Sequence, residues 1–219
     1  MKTTAKKIQR KKKMKSRTLD NFTTSDPAGF LQTGMTDCHT TIERIAQLLD
    51  LRASDAEYMA AVERGDMEAA KRMVDEAAKA AGFGIKAYHS TDNEFTSFDP
   101  RRLGEFTARN SPPEQGMSLA KLGFWFHERP LSQVIGQKHD LAVYLKLDEP
   151  LETTFDELWD NPVIENDSAI VQDTEFGGVS YIVKDPSNIK SADPVTYDDR
   201  GRVIPLSERF NDASPDIRC

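Results

Sequence analysis

The chain has 219 residues, enough for one compact domain and an appendage, with 38% hydrophobic and 30% charged residues. Its net charge of -7 is unevenly placed. Residues 1–17, MKTTAKKIQRKKKMKSR, carry nine of the 29 Lys/Arg and no acid, which leaves 20 bases against 36 acids in the remainder. No apolar segment of about 7–15 residues follows the basic run, as a secretory leader requires, and no run nears the ~20 apolar residues of a membrane span. Cys38 and Cys219 show neither metal-ligand spacing nor a disulfide framework, so a reducing, cytoplasmic setting is expected.

Residues 1–36 are expected to form a basic, disordered arm, because their charge density leaves little to bury. Its first 17 residues can contact nucleic acid. Residues 37–82 read as a helical module. DCHTTIERIAQLLDLR (37–52) sets Ile42, Ile45, Leu48 and Leu49 at helical spacing. Ser54 with Glu57 three residues on is a capping-box pattern. Gly65-Asp66 ends one helix and caps the next, where Met67, Ala70, Met73, Val74 and Ala77 share a face. Gly82 then supplies a stop. This Ala- and Met-rich hairpin reads as a docking surface rather than a catalytic one.

From residue 84 the apolar period changes from 3.6 to 2, and residues 83–219 read as a second domain. GIKAYHS, GFWF (123–126), LAVYLKL (141–147), SAIVQ (168–172) and GGVSYIV (177–183) are the predicted strands. DPVTYDDRGRVIPL (193–206) predicts a hairpin tail turning at Asp198–Gly201. Helical signal is confined to about 130–137 and 155–160, and ARNSPPEQGMS (108–118) reads as a mobile loop. The fold class is α+β, with mostly antiparallel strands and helices upstream.

No Gly-rich phosphate loop, GxSxG elbow, HExxH or Cys/His cluster is present, and no metal is expected. His39, His127 and His139 sit in helix-start or loop-like contexts. His89 differs: it ends an apolar strand and is followed at once by Ser90 and Thr91.

The strings YHST…FTSFD, GFWF, YIVKDPSNIKSA and YDDRGRVIPLSERFNDASPDIR resemble the ADP-ribosyltransferase (ART) fold of diphtheria toxin and the poly(ADP-ribose) polymerases. They are most similar to the ART-like domains of phage and prophage polyvalent proteins, over roughly residues 54–218. The resemblance implies an NAD cleft between two sheets and a cytoplasmic site of action in the host of a phage or prophage. It also implies an NAD-contacting set of His89, Ser90, Thr91 and Trp125. His89 would bond the adenosine ribose, and the backbone at Ser90, where glycine is usual, the nicotinamide amide. Trp125 would stack on the pyridinium through cation–π attraction, and Phe126 would be core.

The family's glutamate position is occupied by Ser180, which cannot supply negative charge, so Asp167 and Glu175 become the candidate acids. LSQVIGQ lacks the tyrosine usual after the aromatic strand. The implied activity is mono-ADP-ribosyl transfer from NAD to a protein or nucleic-acid acceptor, or NAD glycohydrolysis. The alternative is a catalytically degenerate module that binds NAD, ADP-ribose or a protein. A third reading makes the helical hairpin and basic arm the working parts.

Overall fold

A computed structural model describes residues 49–50, 52–110, 116–172 and 177–219, all in one unit spanning Gln47–Cys219. The arm, the first part of the 37–52 helix, the centre of the 108–118 loop, and Glu175 lie outside the described residues.

Helix α1 covers 52–63 and α2 covers Met67–Ala80. Ser54 lies inside α1, so it does not cap that helix; the helical pattern begins upstream of it. Asp66 does cap α2, its side chain accepting from the Ala69 amide at 3.1 Å. The chain then leaves α2 through Gly82 at φ +88°.

β1 (Ile85–Thr91) leads into two short helices, α3 (Glu105–Asn110) and α4 (Met117–Ala120), where a loop was expected. Next come β2 (Phe124–His127), α5 (Ser132–Ile135), β3 (His139–Leu145), β4 (Leu151–Thr154), α6 (Phe155–Asp160), β5 (Ser168–Gln172), β6 (Val179–Val183) and β7 (Ile189–Ser191). The expected tail hairpin turns at Asp198–Gly201, where the Gly201 amide donates to Asp198 O and the Asp198 amide to Arg202 O, and it is short, with one bridge from Tyr197 to Val203.

Seven strands form a single sheet in the order β4-β5-β6-β2-β1-β3-β7, antiparallel except for β4–β5. Two sheets were expected; the backbone ladder is continuous but very unequal. β3 pairs with β1 over seven residues, whereas β2 meets β1 through one pair, Tyr88 with His127. Gly123, at the head of β2, is required by close approach: a Cβ there would lie 2.8 Å from the Val183 carbonyl of β6.

The helical pair shares a core with the rest. Val74 and Ala78 of α2 pack in one cluster with Phe83, Tyr144 of β3, and Leu206 and Phe210 of the tail. Asp55 accepts from the Ser207 amide and hydroxyl, and Tyr58 donates to the Pro194 carbonyl. The docking face foreseen for the hairpin is therefore occupied by the protein's own sheet and tail.

Two buried cations fix that tail by backbone carbonyls. Lys190 of β7, 1% exposed, donates to Ser214 O at 2.6 Å and Asp216 O at 3.1 Å. Arg209 donates to Ser191 O and Asp193 O. Burial pulls the Lys190 amine down to about 8. The unfolded amine titrates near ~10.4, so between about pH 8 and pH 10 the unfolded chain holds the extra proton, and stability rises with pH. Wild type should gain on Lys190→Met by up to about 3 kcal/mol between pH 7.5 and pH 10 in urea melts. A difference that stays constant across that range would show that the amine is not desolvated.

Candidate functional site

β1 and β2 diverge beyond the Tyr88–His127 pair, and a cleft of about 740 Å³ opens there. Its floor is the ends of both strands. Its walls are the 95–109 segment, α4, α6 and the end of α5. Such a volume lies within the range of small-molecule and cofactor pockets.

His89 stands at the divergence. Its Nδ1 lies 2.8 Å from the Trp125 carbonyl. A carbonyl can only accept, so Nδ1 carries the hydrogen, and in the neutral ring Nε2 is an acceptor. The ring is caged by Phe98, Phe126 and Phe95, with centroids at 5.0, 5.5 and 6.3 Å. Burial among these rings pushes the imidazole below its ordinary range, assisted by His127 and opposed by the Trp125 carbonyl and Asp140. His89 is thus both a packed residue and a wall of the cleft.

Ser90 is explained by packing. Its hydroxyl donates to Asp140 at 2.6 Å across the β1–β3 ladder. Asp140 also accepts from the Leu131 and Ser132 amides and the Ser132 hydroxyl, which ties α5 to β1. Burial acts to raise the Asp140 pKa, but these hydrogen bonds outweigh it and hold the group below the usual carboxylate range. Thr91 accepts from the Asn93 amide at 3.1 Å and turns the chain out of β1.

Trp125 also lines the cleft, half-buried, with Nε1 donating to Leu119 O at 3.0 Å. That bond fixes the ring against α4. Phe126 is fully buried, as expected of core.

Of the two expected acids only Asp167 lies among the described residues, and it does not join this group. Ser180 is fully buried and is paired with His127, whose Nδ1 lies 2.8 Å from the Ser180 hydroxyl. Asp167 is exposed and precedes Ser168, which pairs with Val183, whereas Ser180 pairs with Val171. Four residues at ~3.3 Å each separate Asp167 from the Ser180 rung, about 13 Å along the ladder. Asp167 cannot stand in at that position.

Five lining residues were not foreseen. His127 ends β2 instead of lying in a loop, and it lines the cleft. Phe155 and Trp159 of α6 stack at 6.0 Å on the cleft wall, Trp159 being 52% exposed. Their i, i+4 spacing was the available signal. Arg102 and Arg109 border the cleft and share one carboxylate, Glu105, at 3.0 and 3.7 Å. Among the described residues no His/Cys/Asp/Glu group could hold a metal ion, and no helix is long and apolar enough to cross a membrane.

No protein-family model, curated protein or solved structure matches the chain.

The depressed His89 pKa has a definite sign. The unfolded ring titrates near ~6.5, so the fold's advantage is fully present above that pH. It is lost as pH falls, because the unfolded chain then takes a proton the folded ring refuses. Imidazole resonances followed by NMR should show His89 titrating below the ordinary histidine range. Titration at or above that range would mean that the phenylalanine cage is open to water.

Proposed function

We propose that the cleft binds NAD and that the chain transfers a single ADP-ribosyl unit from it, or hydrolyses it when water is the acceptor. This is the activity implied by the resemblance to ART-like domains of phage and prophage proteins. The observation that carries the reading is the convergence of His89 and Trp125, from adjacent strands, on one cavity of cofactor size. The single-pair join between β1 and β2 is where an ART-like sheet would part into two.

The chemistry of the walls suits the ligand. A neutral His89 offers Nε2 to a ribose hydroxyl. The Trp125 face attracts a cationic pyridinium, and no protonated imidazole at His89 opposes it. Arg102 and Arg109, with one carboxylate between them, can turn to a pyrophosphate, since exposed ion pairs hold little energy. In transfer, the C1′–N bond breaks and nicotinamide leaves with the bonding electrons. The acceptor's lone pair forms the new bond to C1′ and its proton is released.

One observation favours a second reading, binding without turnover. Ser180, at the position of the family's glutamate, is buried, neutral and bonded to His127. The oxocarbenium-like transition state would then lack the carboxylate that usually stabilises it.

Titration of NAD into the protein, with nicotinamide release measured in the same tube, separates the readings. Binding with release is expected. Binding without release selects the second reading, and absence of both rejects the two together. Because Trp159 also lines the cleft, fluorescence should be read in Trp159→Phe, which leaves Trp125 as the only indole. NAD should quench that variant. Adding Trp125→Ala should weaken NAD binding by about tenfold, consistent with loss of ~1–2 kcal/mol of cation–π contact. Unchanged affinity would remove Trp125 from the site.

A further inference from the structure

We infer that the outer face of α6, centred on Trp159, docks a Lys/Arg-rich segment of a protein, and that this protein is the acceptor of the ADP-ribosyl unit. The second clause rests on NAD turnover in the cleft; the first does not. Trp159 lines the cleft yet is 52% exposed, and Val163, just past the helix, is 55% exposed. An exposed indole beside another exposed apolar side chain has the composition of an interface anchor. Trp125 differs, being half-buried with its N–H donated to the Leu119 carbonyl.

The exposure of Trp159 is built into a fixed helix. Thr154 caps α6, and the Glu157 carboxylate accepts from the Thr154 amide at 3.0 Å. Leu158 is buried in a cluster with Ala169 and Val171 of β5 and Ile182 of β6. Phe155, one turn before Trp159, stacks on it and packs against the same cluster as Trp125. The phenylalanines around His89 belong to a different cluster. The platform therefore stands on the Trp125 side of the cleft. A pyridinium on Trp125 would bring C1′ to that side, and C1′ is the atom an acceptor must reach.

Charge selects the occupant. Residues 147–172, which include α6 and the strands on either side of it, hold eight Asp/Glu, all exposed, and no Lys/Arg. Asp156, three residues before Trp159, and Asp160, next to it, lie on α6 itself. The two arginines that line the cleft, Arg102 and Arg109, stand on another wall. The phosphates of a dinucleotide are drawn to that wall and repelled by α6, and so is a nucleic-acid backbone. A Lys or Arg side chain is favoured at α6 in two ways: its cation lies over the indole face, and its charge faces carboxylates. Its aliphatic stem can cover Val163. Opposite polarity on the two walls thus separates an anionic donor from a cationic acceptor.

The test uses the full chain and three labelled probes, titrated by fluorescence anisotropy without NAD. They are a short peptide rich in lysine and arginine that also carries serine, cysteine and aspartate, its counterpart with glutamine for every lysine and arginine, and oligo(dT). Wild type should bind the basic peptide about tenfold more tightly than the glutamine counterpart, and added salt should weaken it. Trp159→Ala should weaken the basic peptide by about tenfold, the scale of a truncated interface aromatic. Asp160→Lys puts a cation at a helix C-terminus, where it suits the helix, and should weaken the peptide by a similar factor. Equal affinity for the two peptides, or wild-type affinity in both variants, overturns the inference. Should Trp159→Ala lower the melting temperature, Asp160→Lys alone decides. Oligo(dT) binding that falls in Trp159→Ala and rises in Asp160→Lys overturns it in favour of nucleic acid. With NAD added, the basic peptide should raise nicotinamide release above the rate in water; docking without that rise removes the acceptor role. If the peptide docks but NAD does not bind, the surface stands and NAD turnover falls. If NAD turns over and no peptide docks, the surface falls and NAD turnover stands.

Discussion

The seam between β1 and β2 is the constraint on which the rest of this fold turns. One backbone pair joins a four-strand ladder to a three-strand ladder, and beyond it the strands part. Parting strands leave peptide groups without ladder partners, and a buried carbonyl left unpaired costs as much as a lost hydrogen bond. The His89 imidazole takes the Trp125 carbonyl and closes that account. The same residue therefore does two things at once: it holds the seam, and it presents its other nitrogen at the place where the seam opens. The phenylalanines around it keep water from the bond, which is also why the ring resists protonation.

The far side of the sheet is secured by different chemistry. Lys190 and Arg209 are buried cations that donate to carbonyl oxygens of the tail, of the last residue of β7 and of the segment after it. Burying charge is costly unless it is well hydrogen-bonded, and partial charges on several carbonyls offset part of that cost. These two residues lie in the strings IKSA and SERF, which belong to the segments that carry the resemblance. In this fold both act as scaffold. A resemblance carried by such strings bears on fold more than on chemistry, so the functional reading has to rest on the residues of the cleft.

The period-2 runs were legible because each has a buried face, and five strands fall where those runs predict them. β4 and β7 were not legible. They are four and three residues long, and both occupy sheet edges where little alternation is needed. The Ser54 capping box was misread because a local pattern carries no information on where an upstream helix begins. His89 and Trp125, paired in the sequence reading by the resemblance alone, both line the cleft because their strands are neighbours in the sheet. The exclusion of Asp167 could not be found from sequence, since it depends on the register of β5 against β6, which no single strand encodes. His127 escaped for a similar reason: GFWF was taken to end at Phe126, one residue short of the strand's last rung.

Charge decides what this cleft can tolerate. Two imidazoles lie close enough that protonation of His127 disfavours protonation of His89. A ligand carrying a pyridinium would add a third cationic centre, and like charges in a partly desolvated space repel strongly. The arrangement is stable with such a ligand only when both rings are neutral. Burial enforces that at His89. At His127 the partner across the ladder is a serine hydroxyl, which can either donate or accept. A glutamate in place of Ser180 would draw His127 into a buried ion pair. Serine at this position therefore sets a hydroxyl, not a carboxylate, on the rung opposite His127.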